Sequence, residues 1–506
     1  MKLLKVLNHF EFYLFVIVLF SFINLSCQYK KIKILNADII DFSEKDLSNN
    51  VKRLIGNVVL KHENIILKCD TAIINQISNY VKMYNNVSIN VNDTFFIYSN
   101  YLDYDGNKKI ANFKSNVRLF HEKAKLYSEI LVYDRMSNVA FTPYKTKIIN
   151  DTLTIFSNSA YYFVNSKEFL LKDDIKIFHP KYNMFSSEIN YNLKTDVFFF
   201  SGKSSIVMNE DSLSFYKGWH DNVKSISFIY DSVNFFSKQK FLHSDTLFYD
   251  YNNKICELKK DVLFVDSMNN FILKSNYLKY KKIPEIITAL DSAHLIFIFD
   301  KTDSLYIHSD TIKYVNLQDT FKFVYLYPKV RGFNYDLQFI CDSISFNLKD
   351  TTIVLHKKPF IWSGSYQISA LKIDLKITND TLEKVYLNDS CMIIFKHNDL
   401  LFDQIKGRSM VGFFVCNKLS KVNVNGNAQI LNFLEENNEF FAVNKSEASK
   451  ISFFIKDNKI SNITLYSNPT GIVLPIQNIN LSNLFLRGFY WNEEQRPISI
   501  LHIFYK

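Results

Sequence analysis

The sequence predicts an all-β protein, an elongated array of stacked units of about 29 residues, and three observations carry that prediction. The first is a returning phrase. Asn100-Tyr101-Leu102-Asp103-Tyr104-Asp105 is answered by Glu129-Ile130-Leu131-Val132-Tyr133-Asp134 and by Asp245-Thr246-Leu247-Phe248-Tyr249-Asp250. Anchored on its aromatic, the series runs Ile74, Tyr104, Tyr133, Tyr162, Tyr191, His220, Tyr249, Tyr280, Tyr314, Phe346, in steps of 30, 29, 29, 29, 29, 29, 31, 34 and 32. The second is alternation, as in Val87-Ser88-Ile89-Asn90-Val91, which places apolar and polar side chains on opposite faces of a strand. The third is composition: 47 Phe and 30 Tyr against 11 Gly and 8 Pro favour strands, and helical periodicity is missing from nearly the whole chain after residue 27.

Read from the start, Lys2 and Lys5 precede an uncharged run from Phe12 to Leu25 that ends at Ser26-Cys27. This pattern predicts an export signal over residues 1–27, too short in its apolar part to span a membrane comfortably. Cys27 is a candidate acylated cysteine of a lipoprotein, with Asn24 standing where such a site usually carries Leu. The array proper is assigned to residues 28–320. Each unit there has two halves. One opens on an apolar residue after Asn, Asp or Ser (Asn57-Val58, Asn86-Val87, Asn116-Val117, Asp261-Val262), and the other carries the anchor with an apolar residue two before it. Turn formers such as Asp105-Gly106-Asn107 and Asn252-Asn253 separate the halves. Residues 321–506 continue the array with longer units, Pro328, Pro359 and Pro469 marking turns or edges, and the stretch from Pro475 to Pro497 reads as a terminal cap.

The balance of residues excludes several classes of function. A 47% apolar and 22% charged chain is folded, not disordered. The net charge is +10, yet its longest basic stretches are pairs such as Lys30-Lys31 and Lys281-Lys282, so no nucleic-acid partner is expected. None of the six cysteines forms a C-x-x-C pair, and Cys69 and Cys341 hold the same place in units far apart along the array. Export without a disulfide framework points to the periplasm. No metal or cofactor is expected, and no enzyme, since the chain carries no H-E-x-x-H, P-loop or G-x-G-x-x-G. The acids Asp70, Glu129, Asp245, Asp310 and Asp342 all stand four before an anchor. Catalysis needs an acid and a base made different by their surroundings, whereas acids repeated in register suit a turn or sheet edge.

What repeats on the inside is apolar. Val87, Val117, Val233 and Val262 from one half, with Leu102, Leu131, Leu247 and Leu278 from the other, form two in-register series that face a shared interior. That interior is either a closed core or a trough for acyl chains. Exposing a fourteen-carbon chain to water costs on the order of 10 kcal/mol at about 0.8 kcal/mol per CH₂, so carrying such a lipid through water needs a continuous apolar path.

The pattern Gly56-Asn57-Val58 … Cys69-Asp70-Thr71-Ala72, then Asn86-Val87 … Ser99-Asn100-Tyr101-Leu102-Asp103-Tyr104-Asp105, resembles the OstA-like family of organic solvent tolerance and lipopolysaccharide-transport proteins, in a multi-repeat version. Ala289-Leu290-Asp291-Ser292-Ala293, Lys358-Pro359-Phe360-Ile361-Trp362-Ser363, Phe402 to Arg408 and Arg487-Gly488-Phe489-Tyr490-Trp491 continue the resemblance. The glycine of G-N-V is replaced at Asn85, Ser115 and Lys260. The resemblance implies an open β-jellyroll, or taco, in the periplasm or an outer-membrane assembly, shielding the acyl chains of lipopolysaccharide or a related lipid. It also implies partners among other envelope transport components, joined through end-to-end β-pairing. The alternative reading is a β-solenoid envelope protein that binds or acts on polysaccharide.

Overall fold

A computed structural model describes residues 30–505, apart from 43–49, 92–93, 269, 300–302, 318–320, 379–380, 416–417, 438, 457–458 and 479–483. The expected signal and Cys27 lie outside the described residues. The chain divides into two compact units, Met1–Phe198 and Phe199–Lys506. Both are antiparallel β throughout, and among the described residues the only helical turns are short 3-10 segments near the C-terminal end.

In the N-terminal unit, long strands follow one another as hairpins: Val51–His62, Ile65–Asn75, Tyr80–Val91, Phe95–Asp105, Ile110–His121 and Ala124–Asp134. Each strand is bent once, so that it runs through two walls. The bend sits at the G-N-V motif. Gly56-Asn57 has φ of 76° and 46°, and the pairing register skips from Ile55↔Thr71 to Val58↔Cys69. Two residues thus oppose one, a bulge that turns the strand away from its first direction. Loss of the glycine does not change the geometry: Asn85-Asn86, Ser115-Asn116 and Asp173-Asp174 are all left-handed as well. Asn and Asp tolerate this region better than other non-glycine residues, which accounts for their abundance at the bends.

The repeated acids help to hold these bends. Asp70 accepts a hydrogen bond from Asn86 Nδ2 at 2.8 Å, and Asp38 accepts one from Asn57 Nδ2 at 2.9 Å. An Asp of one unit thereby fastens the bend of the next. The turn at the far end of the first wall is closed by another Asx device. Asp105 Oδ1 accepts from the backbone N–H of Asn107 and Lys108, each at 3.0 Å, and Lys109 completes the turn at φ 57°.

The C-terminal unit repeats the same plan. Left-handed pairs bend it at Asp231-Ser232, Lys260-Asp261, Asp291-Ser292, Lys357-Lys358, Asp389-Ser390 and Gly426-Asn427. Its first wall carries one unbroken in-register row that passes through Ile229, Leu247, Leu258, Leu278, Ala289 and Ile312 and on to Ile451. Every step pairs residues directly opposite, so one face of the wall stays apolar along its length. The stretch read as a terminal cap begins on the strand Glu439–Lys456, where Pro475 pairs with Ala442 and Ile476 packs on a cluster that includes Val443. From Leu484 onward it lies across the outer face of the second wall, over a cluster containing Met392, Ile394, Phe402, Leu431 and Phe433.

Candidate functional site

All eight residues of the two apolar series are buried. In the N-terminal unit Val87, Leu102, Val117 and Leu131 are 0–1% exposed; in the C-terminal unit Val233, Leu247, Val262 and Leu278 are 0–8% exposed. The two units differ in the rows beside them. Toward the mouth of the N-terminal unit, the first wall presents Tyr104, Ala111, Tyr133, Ala140, Tyr162, Phe169 and Tyr191, paired in register and 0–1% exposed. The equivalent row of the C-terminal unit runs Tyr249, Cys256, Tyr280, Ile287, Tyr314, Val324, Phe346, and each member is part-exposed.

The second walls show the contrast only in part. Leu60, Leu67, Ile89, Ile97, Leu119 and Ile148 are sealed in the N-terminal unit. The corresponding row of the C-terminal unit is mixed: Phe235, Leu242, Phe264, Ile361, Ile368, Ile393 and Ile405 are part-exposed, whereas Leu273, Leu295, Ile307 and Phe339, in register between Phe264 and Ile361, are buried. The interior of the first unit is sealed up to its mouth, whereas in the second the row at the mouth and parts of the second wall stay accessible over a buried floor.

Side chains at the mouth show how the N-terminal unit is closed. His62, at the tip of the second wall, meets the hydroxyl of Tyr104 on the first wall, with 2.5 Å between Nδ1 and the oxygen. His121 bonds Tyr162 in the same way, and Asn150 Nδ2 donates to the Tyr191 hydroxyl at 2.6 Å. Between these bridges Phe95 packs on Tyr133 with ring centroids 5.2 Å apart. Each pair lies close to 40 residues apart in sequence, which joins one unit's tip to a later unit's anchor.

Charges sit over this seam. Arg135, its side chain 7% exposed, donates to the Tyr104 hydroxyl at 2.6 Å, to Glu63 at 3.3 Å and to Asn64 at 3.0 Å. Lys109 pairs with Glu63 at 2.9 Å and Lys167 with Glu122 at 2.5 Å. Burial lowers the pKa of His62, helped by the cations Arg135 and Lys109 and opposed by a backbone hydrogen bond and Glu63; burial likewise lowers that of His121. The Lys109 hydrogen bond holds the Glu63 carboxyl below its ordinary range. Burial pushes the Tyr104 hydroxyl up to about 12. The seam therefore rests on neutral imidazoles and neutral phenols.

Sequence reading missed these histidines, although a signal was there. His62, His121 and His179 stand 59 and 58 residues apart, two periods of the array. His220, which takes an anchor position in the series, is a packed side chain: it is 7% exposed and its Nδ1 lies 2.8 Å from Ser227 Oγ. Cys69, Cys256, Cys341 and Cys391 are free thiols, each pushed to about 12 by burial, so their nucleophilic form is suppressed.

Residues 29–187 and, overlapping them, 151–245 match the family described as OstA-like protein. Over those residues the chain is OstA-like. The OstA-like stretch takes in the described strands of the N-terminal unit and ends within the strand Lys240–Asp250, so the later segments that carry the resemblance in sequence lie beyond it. No curated protein matches the chain. Among 18 matching chains of solved structures is one titled "Crystal structure of LptH, the LptA homologous periplasmic component of the conserved lipopolysaccharide transport device from Pseudomonas aeruginosa". It is 18% identical over 21% of this chain and 75% of that one, with a TM-score of 0.19.

Proposed function

We propose that the chain is a periplasmic lipid-binding protein of the lipopolysaccharide-transport kind, and that its C-terminal unit shields acyl chains in the groove between its walls. The observation that supports this reading most is the part-exposed row Tyr249, Tyr280, Tyr314 and Phe346, which flanks the continuous apolar row through Leu247 and Leu278. Apolar side chains held in register yet open to solvent are unusual in a sheet that could pack on itself, and suit a ligand of the same chemistry. The OstA-like match over residues 29–245 agrees with it. On this reading Val233, Leu247, Val262 and Leu278 form the floor that lipid meets. Val87, Leu102, Val117 and Leu131 lie beneath the stitched mouth and serve the core of their own unit.

Partners of this role are lipopolysaccharide or a related lipid, and envelope components that add strands to a free edge. Among the described strands, Lys33–Asn36 and Ile39–Asp41 pair with Val51–His62, and Lys459–Tyr466 and Thr470–Pro475 pair with Glu439–Lys456. Outer strands of this sort are where strand addition takes place.

Photocrosslinking in cells tests the proposal. A photoreactive residue at the inward Tyr280 should capture lipopolysaccharide, and one at the neighbouring outward Lys279 should not. Equal capture at both, or none at Tyr280 in a folded and exported protein, overturns the lipid reading.

A further inference from the structure

The segment from Leu484 to Phe504 meets the second wall of the C-terminal unit through a regular set of contacts. Gln404 donates its Nε2 to the Leu484 carbonyl at 3.1 Å, and its Oε1 accepts from the Leu486 N–H at 2.8 Å. Gln367 repeats the arrangement with the Tyr490 carbonyl at 2.7 Å and the Asn492 N–H at 2.8 Å. In both, one side-chain amide pairs with a residue's carbonyl and the N–H two residues on, as a neighbouring strand would. Both glutamines are 0–1% exposed.

The pattern then changes donor but keeps its interval. Arg496 donates to Gln338 Oε1 at 2.9 and 2.7 Å, and the His502 carbonyl accepts from Arg331 at 3.1 Å. Leu484, Tyr490, Arg496 and His502 stand six apart. Gln404 and Gln367 lie on strands separated by one other, about 10 Å at ordinary strand spacing, whereas six extended residues would reach about 20 Å. Turns absorb the difference. Phe489 N–H bonds the Leu486 carbonyl at 2.9 Å and Arg496 N–H bonds the Glu493 carbonyl at 3.2 Å, with Gly488 at φ 90° making the first turn possible.

The wall holds this segment by its backbone and by side chains buried against it, Leu486 and Ile503 among them, and the wall strands pair among themselves without it. We propose that the outer face of the second wall is a peptide groove that also works in trans, taking the 484–504 segment of a second copy as it takes its own. Each copy carries one groove and one matching segment, so exchange keeps every contact. The tether favours the intramolecular arrangement only through effective concentration.

The experiment places a protease site after Asn478, folds the full chain and then cuts it. A labelled synthetic peptide of residues 484–505 should displace the resident segment and bind saturably, one per chain. Gln404→Ala combined with Gln367→Ala should weaken that binding at least about tenfold, since four hydrogen bonds are lost, two of them buried. Intact chains carrying two different labels should form mixed dimers when concentrated. The proposal falls if the cut segment stays and no peptide enters, or if the peptide binds the glutamine variants or a scrambled sequence equally well. It also falls if the labelled chains never exchange at concentrations where the peptide binds.

Discussion

Tyr104 and Tyr280 hold the same place in their repeats and pair with apolar neighbours in the same way, but different things lie above them. Tyr104 is sealed beneath His62 and Arg135; Tyr280 is part-exposed. The difference arises at the tips of the second wall. Where the N-terminal unit has His62, His121 and Asn150, the equivalent tips of the C-terminal unit are Ser237, Asp266 and Phe297. A serine is too short to span such a mouth, Phe297 carries no polar atom, and the Asp266 carboxylate accepts from the Met268 N–H at 3.1 Å and faces Lys240 at 4.0 Å. Closure thus belongs to a few tip residues. The shared repeat builds walls, and the tips decide whether they shut.

The largest expected effect tests that difference directly. Leu131→Asp places a carboxylate at a fully buried position of the closed unit and should cost about 4 kcal/mol, because nothing nearby can pair with it. Tyr280→Asp removes a larger side chain but leaves the carboxylate within reach of water, and should cost about 1–2 kcal/mol. Denaturant unfolding followed by hydrogen exchange in each unit measures both. Similar penalties would mean that the groove is as closed as the core.

Much of this design was legible in the sequence. The 29-residue period fixed the anchors, the apolar residue two before each gave the inner row, and Asn-Val marked the bends at Asn57, Asn86 and Asn116. Openness was not legible, because it depends on tip residues of no single type: His62 and His121 stand two units apart, and Asn150 follows His121 by one. The covering of the outer wall was hidden for another reason. Its partners, Gln338, Gln367 and Gln404, are polar residues that look solvent-facing until a second segment supplies their hydrogen bonds. One clue was available in Cys391-Met392-Ile393-Ile394, where alternation lapses into an apolar run, the mark of a strand covered on both faces.

The next effect is on pH. Because burial lowers the pKa of His62 and His121, the unfolded chain takes up protons near its ordinary histidine value of about 6.5 before the folded unit does. Stability of the N-terminal unit is therefore fully present above that value and lost as pH falls below it, until the folded histidines also protonate. Protonated His62 would also face Arg135 and Lys109, with Glu63 as the compensating charge. Protection of the Tyr104 and Tyr162 amides, corrected for intrinsic exchange, should fall between pH 7.5 and 5. His62→Gln with His121→Gln should flatten that fall, and an unchanged profile would show that the seam does not report through its histidines.

The smallest effect concerns the bends, which both units share although their residues differ. Gly56 opens one at φ 76°, and a Cβ added there would lie 2.2 Å from Asp38 Oδ2, the group that receives Asn57. Gly56→Ala therefore combines a left-handed alanine with displacement of the bend's own acceptor, and should destabilise by about 2 kcal/mol. Lys260 opens the equivalent bend of the C-terminal unit at φ 62°. A lysine there bears the left-handed penalty that Gly56 avoids, so Lys260→Gly relieves strain in the folded state while adding freedom to the unfolded chain. The first term is the larger, and the variant should be more stable by about 0.5–1 kcal/mol. The pair of substitutions, compared by urea midpoints, should therefore have opposite signs. A destabilised Lys260→Gly would mean that the lysine side chain holds the bend by contacts that outweigh its backbone strain.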